Sequence, residues 1–353
     1  MILVLALAAF LWAVGALLKL PYRARLYMIG LLYVGVLFIQ IVLPQGHPLR
    51  LATGQSAALW IILGVFAALA AAYGRVVRAL KARAERKEAA ERRPVAREGR
   101  FSSSELERYA RHIVLREIGG PGQKALRNAR VLVIGAGGLG APALQYLAAA
   151  GVGTIGVIDD DVVENANLQR QVIHRDADIG MPKVFSAQAA MLAQNPHVEI
   201  LPYHRRLDEA IAHQLVDEYD VVLDGTDNSE TRYLVNRAAV DRRKPLISGA
   251  LSQWEGQLSV FDPAQGAPCY QCVFPQAAAA GLAPSCAEAG VIGPLPGVIG
   301  SMMAVEAIKL IAGAGQVLRG EMLIYDALWA ETRKIKLKSR ADCPVCGKNS
   351  RAA

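Results

Sequence analysis

Residues 131–153 read VLVIGAGGLGAPALQYLAAAGVG, and this stretch decides the fold. Four aliphatic residues, Val131–Ile134, predict a short buried strand. The run Gly135-Ala-Gly137-Gly138-Leu-Gly140 then matches G-x-G-x-x-G, and the apolar residues 141–150 predict a helix that Gly151-Val-Gly153 breaks. Thr154–Ile158 predicts the next strand, so strand, helix and strand occupy about 30 residues, the size of a βαβ unit. Glycines at such a turn let backbone approach a phosphate, and the following helix N-terminus presents N–H donors and partial positive charge. Asp159 closes the second strand 19 residues past the last glycine, where a carboxylate can accept hydrogen bonds from ribose hydroxyls. Taken alone, the pattern specifies a phosphate-binding unit and leaves the cofactor open, with NAD as good a reading as ATP and a structural glycine turn as the plainer one.

The residues downstream narrow that choice. Asn165-Ala-Asn167-Leu-Gln-Arg170-Gln171 clusters amides and a guanidinium, and Lys183 opens the next predicted helix, Lys183–Gln194. Arg170 and Lys183 can clamp a triphosphate, a demand that a dinucleotide site does not make in this form. Asp227 is read as closing another predicted strand, Val221–Leu223, which ends in Asp224-Gly-Thr-Asp227, and a carboxylate there can hold Mg²⁺ between phosphates. Each of these residues alone reads equally as a surface charge or a helix cap, but together they suggest nucleotidyl transfer. Further strands are predicted at His197–Pro202 and Pro245–Ser248, giving an α/β, doubly wound, Rossmann-like and mostly parallel sheet. An antiparallel C-terminal part follows, with strands at Gln257–Phe261 and Glu321–Asp326 and a helix near 298–312. Upstream, Ser104-Glu-Leu-Glu107 fits a capping box opening a helix that carries Tyr109, Arg111 and His112.

The chain has five cysteines, none of them in its first 268 residues. Cys269-Tyr-Gln-Cys272 and Cys343-Pro-Val-Cys346 form two C-x-x-C knuckles able to present four thiolates to one tetrahedral Zn²⁺. Four thiolates leave no open coordination position, so the zinc is expected to be structural, with a disulfide or redox pair as the alternative. Cys286 is left over in an Ala-, Gly- and Pro-rich loop spanning 276–297, read either as an inert small residue or as a loop thiol acting as nucleophile.

Residues 1–74 differ in kind from the rest. Apolar stretches near 1–18, 26–43 and 57–73 are expected to form three transmembrane helices, a soluble helical hairpin being the alternative. Residues 75–100 carry ten basic against four acidic residues and read as a basic helical linker ended near Pro94. With Lys19, Arg23 and Arg25 in the first hinge, this charge places 19–25 and everything after 74 in the cytoplasm, giving a multi-pass inner-membrane protein with a cytoplasmic catalytic domain. No groove-reading motif accompanies the basic run, so nucleic-acid binding is not expected.

The segments RYARHIVL (108–115), the stretch 131–153, NLQRQ (167–171), GMPK (180–183), DGTDN (224–228), EGQLSVF (255–261), PCYQC (268–272), CAEAGV (286–291) and CPVCG (343–347) resemble the ThiF/MoeB/HesA family of bacterial ubiquitin-activating-like adenylyltransferases, with the MoeB branch nearest. The resemblance covers 101–347, followed by a tail at 348–353. It implies a homodimer that binds MgATP and adenylates the C-terminal glycine of a small ubiquitin-like carrier ending in Gly-Gly. A MoaD-like carrier of molybdenum cofactor biosynthesis is expected, and a ThiS-type carrier is the alternative. By position, Gly135, Gly137, Gly138 and Gly140 form the ATP loop, and Asp159 matches the ribose-binding acid. Asn167, Arg170 and Lys183 match phosphate-contacting residues, and Asp227 the Mg²⁺-associated catalytic aspartate. Arg111 matches an arginine reaching into the neighbouring subunit's site, and Cys286 the mobile-loop cysteine. The first 100 residues have no counterpart in the family core, and no rhodanese-like segment follows 347, so a separate sulfur donor protein is expected.

Overall fold

The computed structural model describes residues 2–18, 21–54, 56–66, 69–70, 72–75, 77, 99–277 and 289–347. Most of the basic segment 75–100 and all of the tail lie outside these residues, as does Cys286. The chain divides into two compact units, Met1–Val95 and Ala96–Ala353.

The first unit contains α1 (Ile2–Leu17), α2 (Tyr22–Val42), α3 (Pro48–Thr53) and α4 (Ala57–Phe66). Its small core is Val4, Val36 and Trp60. Tyr33 donates from its hydroxyl to the Trp60 carbonyl at 2.7 Å. Gln40 is buried and donates from Nε2 to the Arg50 carbonyl at 2.9 Å and to Thr53 Oγ1 at 2.8 Å. These bonds fold α3, which lies between the second and third apolar stretches, back against α2. The expectation of three spanning helices is not met among the described residues. In this unit only Ala24–Val42 has the length and hydropathy of a membrane span, and Leu3–Leu17 and Ala57–Phe66 are shorter. Among the described residues one other helix passes the same test, Pro294–Ala312, which belongs to the second unit and is packed against its core.

The second unit opens with α5 (Ser103–Ile113) and α6 (Gly119–Asn128). The capping box is formed by Ser102 and Glu105, two residues before the predicted pair. Eight strands then form one sheet in the order β3-β2-β1-β4-β5-β6-β7-β8. β1 (Arg130–Ile134), β2 (Thr154–Asp159), β3 (Glu199–His204), β4 (Val221–Asp224) and β5 (Leu246–Leu251) are parallel. β6 (Glu255–Phe261), β7 (Glu321–Asp326) and β8 (Glu331–Lys336) continue the sheet antiparallel. The expected mostly parallel sheet with an antiparallel end is therefore one continuous mixed sheet.

Helices cover both faces, so strand residues alternate between two cores. Val131 and Val133 of β1 join Ile155 and Val157 of β2 on one face, and Leu132 and Ile134 join Ile158 on the other. The first face is covered by α7 (Gly140–Ala150), α8 (Lys183–Gln194) and α12 (Pro294–Ala312). The second is covered by α9 (Glu209–Asp217) and α10 (Ser229–Asp241); the short α11 (Tyr270–Val273) lies beside the cysteines. β1 lies between β2 and β4, so the crossovers leave it in opposite directions, and a crevice opens there at the carboxyl ends of the strands.

Candidate functional site

The crevice holds a cavity of about 440 Å³ whose walls include Gly135, Gly137, Gly138, Asp159, Arg170, Lys183 and Asp227. That volume lies in the range of small-molecule sites, roughly 300–1,000 Å³. Seven residues singled out from the sequence thus meet on one cavity, although they come from positions 135 to 227 of the chain.

The glycine turn is close-packed. Gly135 has a φ of +92°, in the left-handed region that favours glycine. A Cβ on Gly140 would lie 1.9 Å from the Gly135 carbonyl oxygen, so Gly140 serves the turn by close approach without lining the cavity. α7 begins without a side-chain cap, which leaves N–H donors of its first turn for a ligand. Gly151 in left-handed conformation ends the helix.

Asp159 braces the turn from β2. Its carboxylate accepts from the Ala136 N–H at 2.7 Å and from the Asp161 N–H at 2.8 Å. Burial raises its carboxyl above the ordinary value, against the opposing influence of Lys183 and these two bonds. Lys183, buried at the start of α8, pairs through Nζ with Asp161 Oδ2 at 2.6 Å. Asp161 is 64% exposed, so Lys183 is held by a partner that water can replace. Arg170 is half-buried and donates to the Ala166 carbonyl at 3.1 Å. Asn167 is buried in the same loop without lining the cavity, and its Oδ1 has no hydrogen-bond partner.

On the opposite wall, β4 ends at Asp224, so Asp227 sits in the following loop and does not close the strand. Asp224 Oδ1 accepts from the Thr226 N–H at 3.0 Å and from its hydroxyl at 2.7 Å. Asn228 caps α10 by accepting from the Thr231 N–H at 2.9 Å. With both flanking side chains committed to the backbone, the exposed Asp227 faces the cavity. Beneath the loop, buried Arg232 pairs with Asp224 Oδ2 at 3.4 Å and donates to Ser248 Oγ at 3.0 Å, to the Gly249 carbonyl at 2.8 Å and to the Thr226 carbonyl. Sequence reading missed Arg232 and Asp224; their only signal was the spacing of an arginine eight residues after a strand-ending aspartate. It also missed Arg205 and Arg206 and gave Gln171 of the amide cluster no role, although all three line the cavity. Arg111 is exposed on α5 and does not line the cavity of its own chain.

The four paired cysteines converge at a second place. All are buried, with their sulfurs within 4.8 Å of one another. Cys269 and Cys343 are 3.6 Å apart, Cys272 and Cys346 3.3 Å, and Cys269 and Cys272 3.9 Å. A tetrahedron with metal–sulfur bonds of about 2.3 Å has edges of about 3.8 Å, so the cluster fits one thiophilic ion. Burial, then Cys272, pushes the Cys269 thiol up to about 12. Burial raises Cys343 too, but N–H groups of Cys346 and Val345 and the neighbouring thiols outweigh it and bring Cys343 down to about 7. Asn236 donates to Cys269 Sγ at 3.8 Å and the Arg340 N–H to Cys272 Sγ at 3.4 Å, outer donors of the kind that support a metal centre.

The model of the ThiF family matches residues 109–345. The sulfur carrier protein adenylyltransferase of Thermus thermophilus is 48% identical over 252 residues, which cover 70% of this chain and 93% of that protein. The SAMP-activating enzyme E1 of Haloferax volcanii is 47% identical over 247 residues, covering 70% of this chain and 91% of that protein. The adenylyltransferase and sulfurtransferase MOCS3 of Bos taurus is 48% identical over 255 residues, covering 72% of this chain and 56% of that protein. Among solved structures, E. coli MccB with ATP superposes with a TM-score of 0.56 at 22% identity, over 64% of this chain and 69% of that chain, a likeness of fold.

Proposed function

The chain belongs to the ThiF family, and we propose that it uses ATP to adenylate the C-terminal glycine of a small ubiquitin-like sulfur-carrier protein. The observation that carries this reading is the meeting of the glycine turn, Asp159, Arg170, Lys183 and Asp227 on one cavity. A carboxylate oxygen of the carrier attacks the α-phosphorus of ATP, the bond from that phosphorus to the bridging oxygen breaks, and pyrophosphate leaves. No proton need move, so the protein's task is positioning and charge neutralisation. The backbone of Gly135, Gly137 and Gly138 receives the phosphates, and Asp159 orients the ribose. Lys183 exchanges the exposed Asp161 for a phosphate oxygen and, with Arg170, balances the charge of the leaving pyrophosphate, while the neutral amide of Asn167 supports the loop that carries Arg170. Asp227 would hold Mg²⁺, which supplies further charge neutralisation when bound.

In the same reading Zn²⁺ would be held by Cys269, Cys272, Cys343 and Cys346 and would tie residue 343 to 272 without taking part in the chemistry. Elemental analysis should find one zinc per chain, lost in Cys343→Ser; zinc retained by that variant would refute the assignment. The exposed Arg111 serves a second copy of the chain in a homodimer. An Arg111→Ala chain mixed with an Asp227→Ala chain should then regain part of the activity that each lacks alone, and an inactive mixture would refute the sharing. Residues 1–74 attach the chain to the inner membrane, and 75–100 link them to a cytoplasmic catalytic domain at 101–347; a reporter fused after residue 90 that reads periplasm would overturn this. A MoaD-like carrier and a separate sulfur donor complete the reading. The direct test is the mass of the carrier after incubation with ATP and enzyme. An added adenylate is expected on carriers ending in Gly-Gly, and no adduct on any of them would refute the proposal.

A further inference from the structure

Ala136, inside the glycine turn, has both of its peptide groups held by side chains from outside the turn. Its N–H goes to Asp159 at 2.7 Å. Its carbonyl meets His174 Nε2 at 2.9 Å. A carbonyl only accepts, so Nε2 carries the proton of this bond. The other ring nitrogen, Nδ1, lies 2.9 Å from Ser186 Oγ, whose single hydroxyl proton goes either to Nδ1 or to Asp178 Oδ2, 2.6 Å away. His174 and Ser186 are 6% and 1% exposed, so water does not substitute for these bonds. Asp178, in the turn before α8, Ser186 on α8 and His174 thus form a line of contacts that reaches the glycine turn.

The consequence follows from peptide planarity. The Ala136 carbonyl and the Gly137 N–H belong to one planar trans unit and point in opposite directions. Holding the carbonyl on the His174 side turns the Gly137 N–H to the other side, and Gly137 lines the cavity. The turn is rich in glycine, whose backbone could otherwise rotate this unit at little cost. We infer that His174 is a positioning residue for nucleotide binding: through the Ala136 carbonyl it fixes the peptide whose Gly137 N–H meets the phosphates, with Ser186 and Asp178 holding the ring. This rests on the reading of the cavity as an ATP site.

Two substitutions in the full-length protein separate the two ends of the ring. His174→Gln can place an amide N–H near the position of Nε2, whereas His174→Asn reaches only to the position of Nδ1 and abandons the Ala136 carbonyl. Direct ATP binding, KM for ATP, KM for the carrier, kcat and melting temperature are measured together. H174N should weaken ATP binding and raise its KM by about tenfold or more, the effect of orphaning a buried carbonyl. Its kcat at saturating ATP and its KM for the carrier should stay within about twofold. H174Q should bind ATP within about threefold of wild type, the rescue that a retained donor gives. Equal losses in both variants, unchanged ATP affinity in H174N, or a loss confined to kcat would overturn the assignment. Should H174N give no melting transition, Ser186→Ala decides, since it keeps the ring and removes its support: a smaller loss of ATP affinity is expected, and none would overturn the proposal. A wild-type protein that binds no ATP at all refutes the functional reading itself, whereas failure at His174 with normal wild-type binding leaves that reading standing.

Discussion

Two helices of this chain are nearly alike in sequence character and opposite in circumstance. Ala24–Val42 of α2 and Pro294–Ala312, which is α12, are each 19 residues long and apolar enough to cross a membrane. Yet 11% of the first is buried and 44% of the second. Leu31 of α2 is 74% exposed, whereas Ile299 and Met303 of α12 are fully enclosed between α7 and the sheet. Hydropathy records how much apolar surface a helix carries and is silent on what covers it. α12 is covered by its own domain, while α2 leaves Leu31, Val34, Phe38 and Ile41 bare, as the proposed attachment to a membrane requires.

Aspartate at matched places should break the likeness most visibly. Ile299→Asp buries an unpaired charge in the core and should abolish the folded catalytic unit, read as loss of its melting transition. Leu31→Asp should leave that transition within about 0.5 kcal/mol of wild type and instead move protein from the membrane pellet to the soluble fraction. A folded Ile299→Asp protein, or a Leu31→Asp protein that melts early, would contradict the contrast.

A milder form sharpens it. Ile299→Ala should cost about 2–5 kcal/mol by the cavity it opens, whereas Leu31→Ala should cost the catalytic unit almost nothing. Equal costs in denaturant melts would mean that α2 is packed as α12 is.

The smallest expected effect concerns a polar group enclosed as tightly as α12. Burial holds His174 below its ordinary value of 6.5, with the bond to the Ala136 carbonyl acting against it. A histidine whose value is depressed by folding contributes stability that is complete above 6.5 and is lost as pH falls through the folded value. Below 6.5 the wild type should therefore lose melting temperature faster than H174Q; parallel curves would refute this.

How much of this was legible in the sequence differs from place to place. β1, the glycine turn and α7 were plain, since four aliphatic residues, closely spaced glycines and an alanine-rich run admit few structures. The cysteine cluster was plain for a similar reason, because two C-x-x-C pairs ask for one shared partner. The helix start near 102 was misplaced because Phe101-Ser-Ser-Ser-Glu-Leu-Glu107 offers two Ser-x-x-Glu registers, and only packing selects Ser102 with Glu105. β8 escaped because Glu331–Lys336 is exposed throughout and lacks apolar alternation. α6 begins Gly119-Gly-Pro-Gly122, which reads as a turn until tertiary contacts hold it helical. The walls of the cavity were legible where a motif carried charge, as at Arg170, Lys183 and Asp227. Arg232 and His174 act from beneath the surface, and beyond the eight-residue spacing from Asp224 to Arg232 no local pattern announces such work.

The most direct test of the central claim is exchange of labelled pyrophosphate into ATP. Wild-type protein should catalyse it only when a carrier ending in Gly-Gly is present, because reversal requires the acyl-adenylate. Asp227→Ala should abolish exchange while leaving the melting temperature close to wild type. Exchange that ignores the carrier, or that survives intact in Asp227→Ala, would contradict the account.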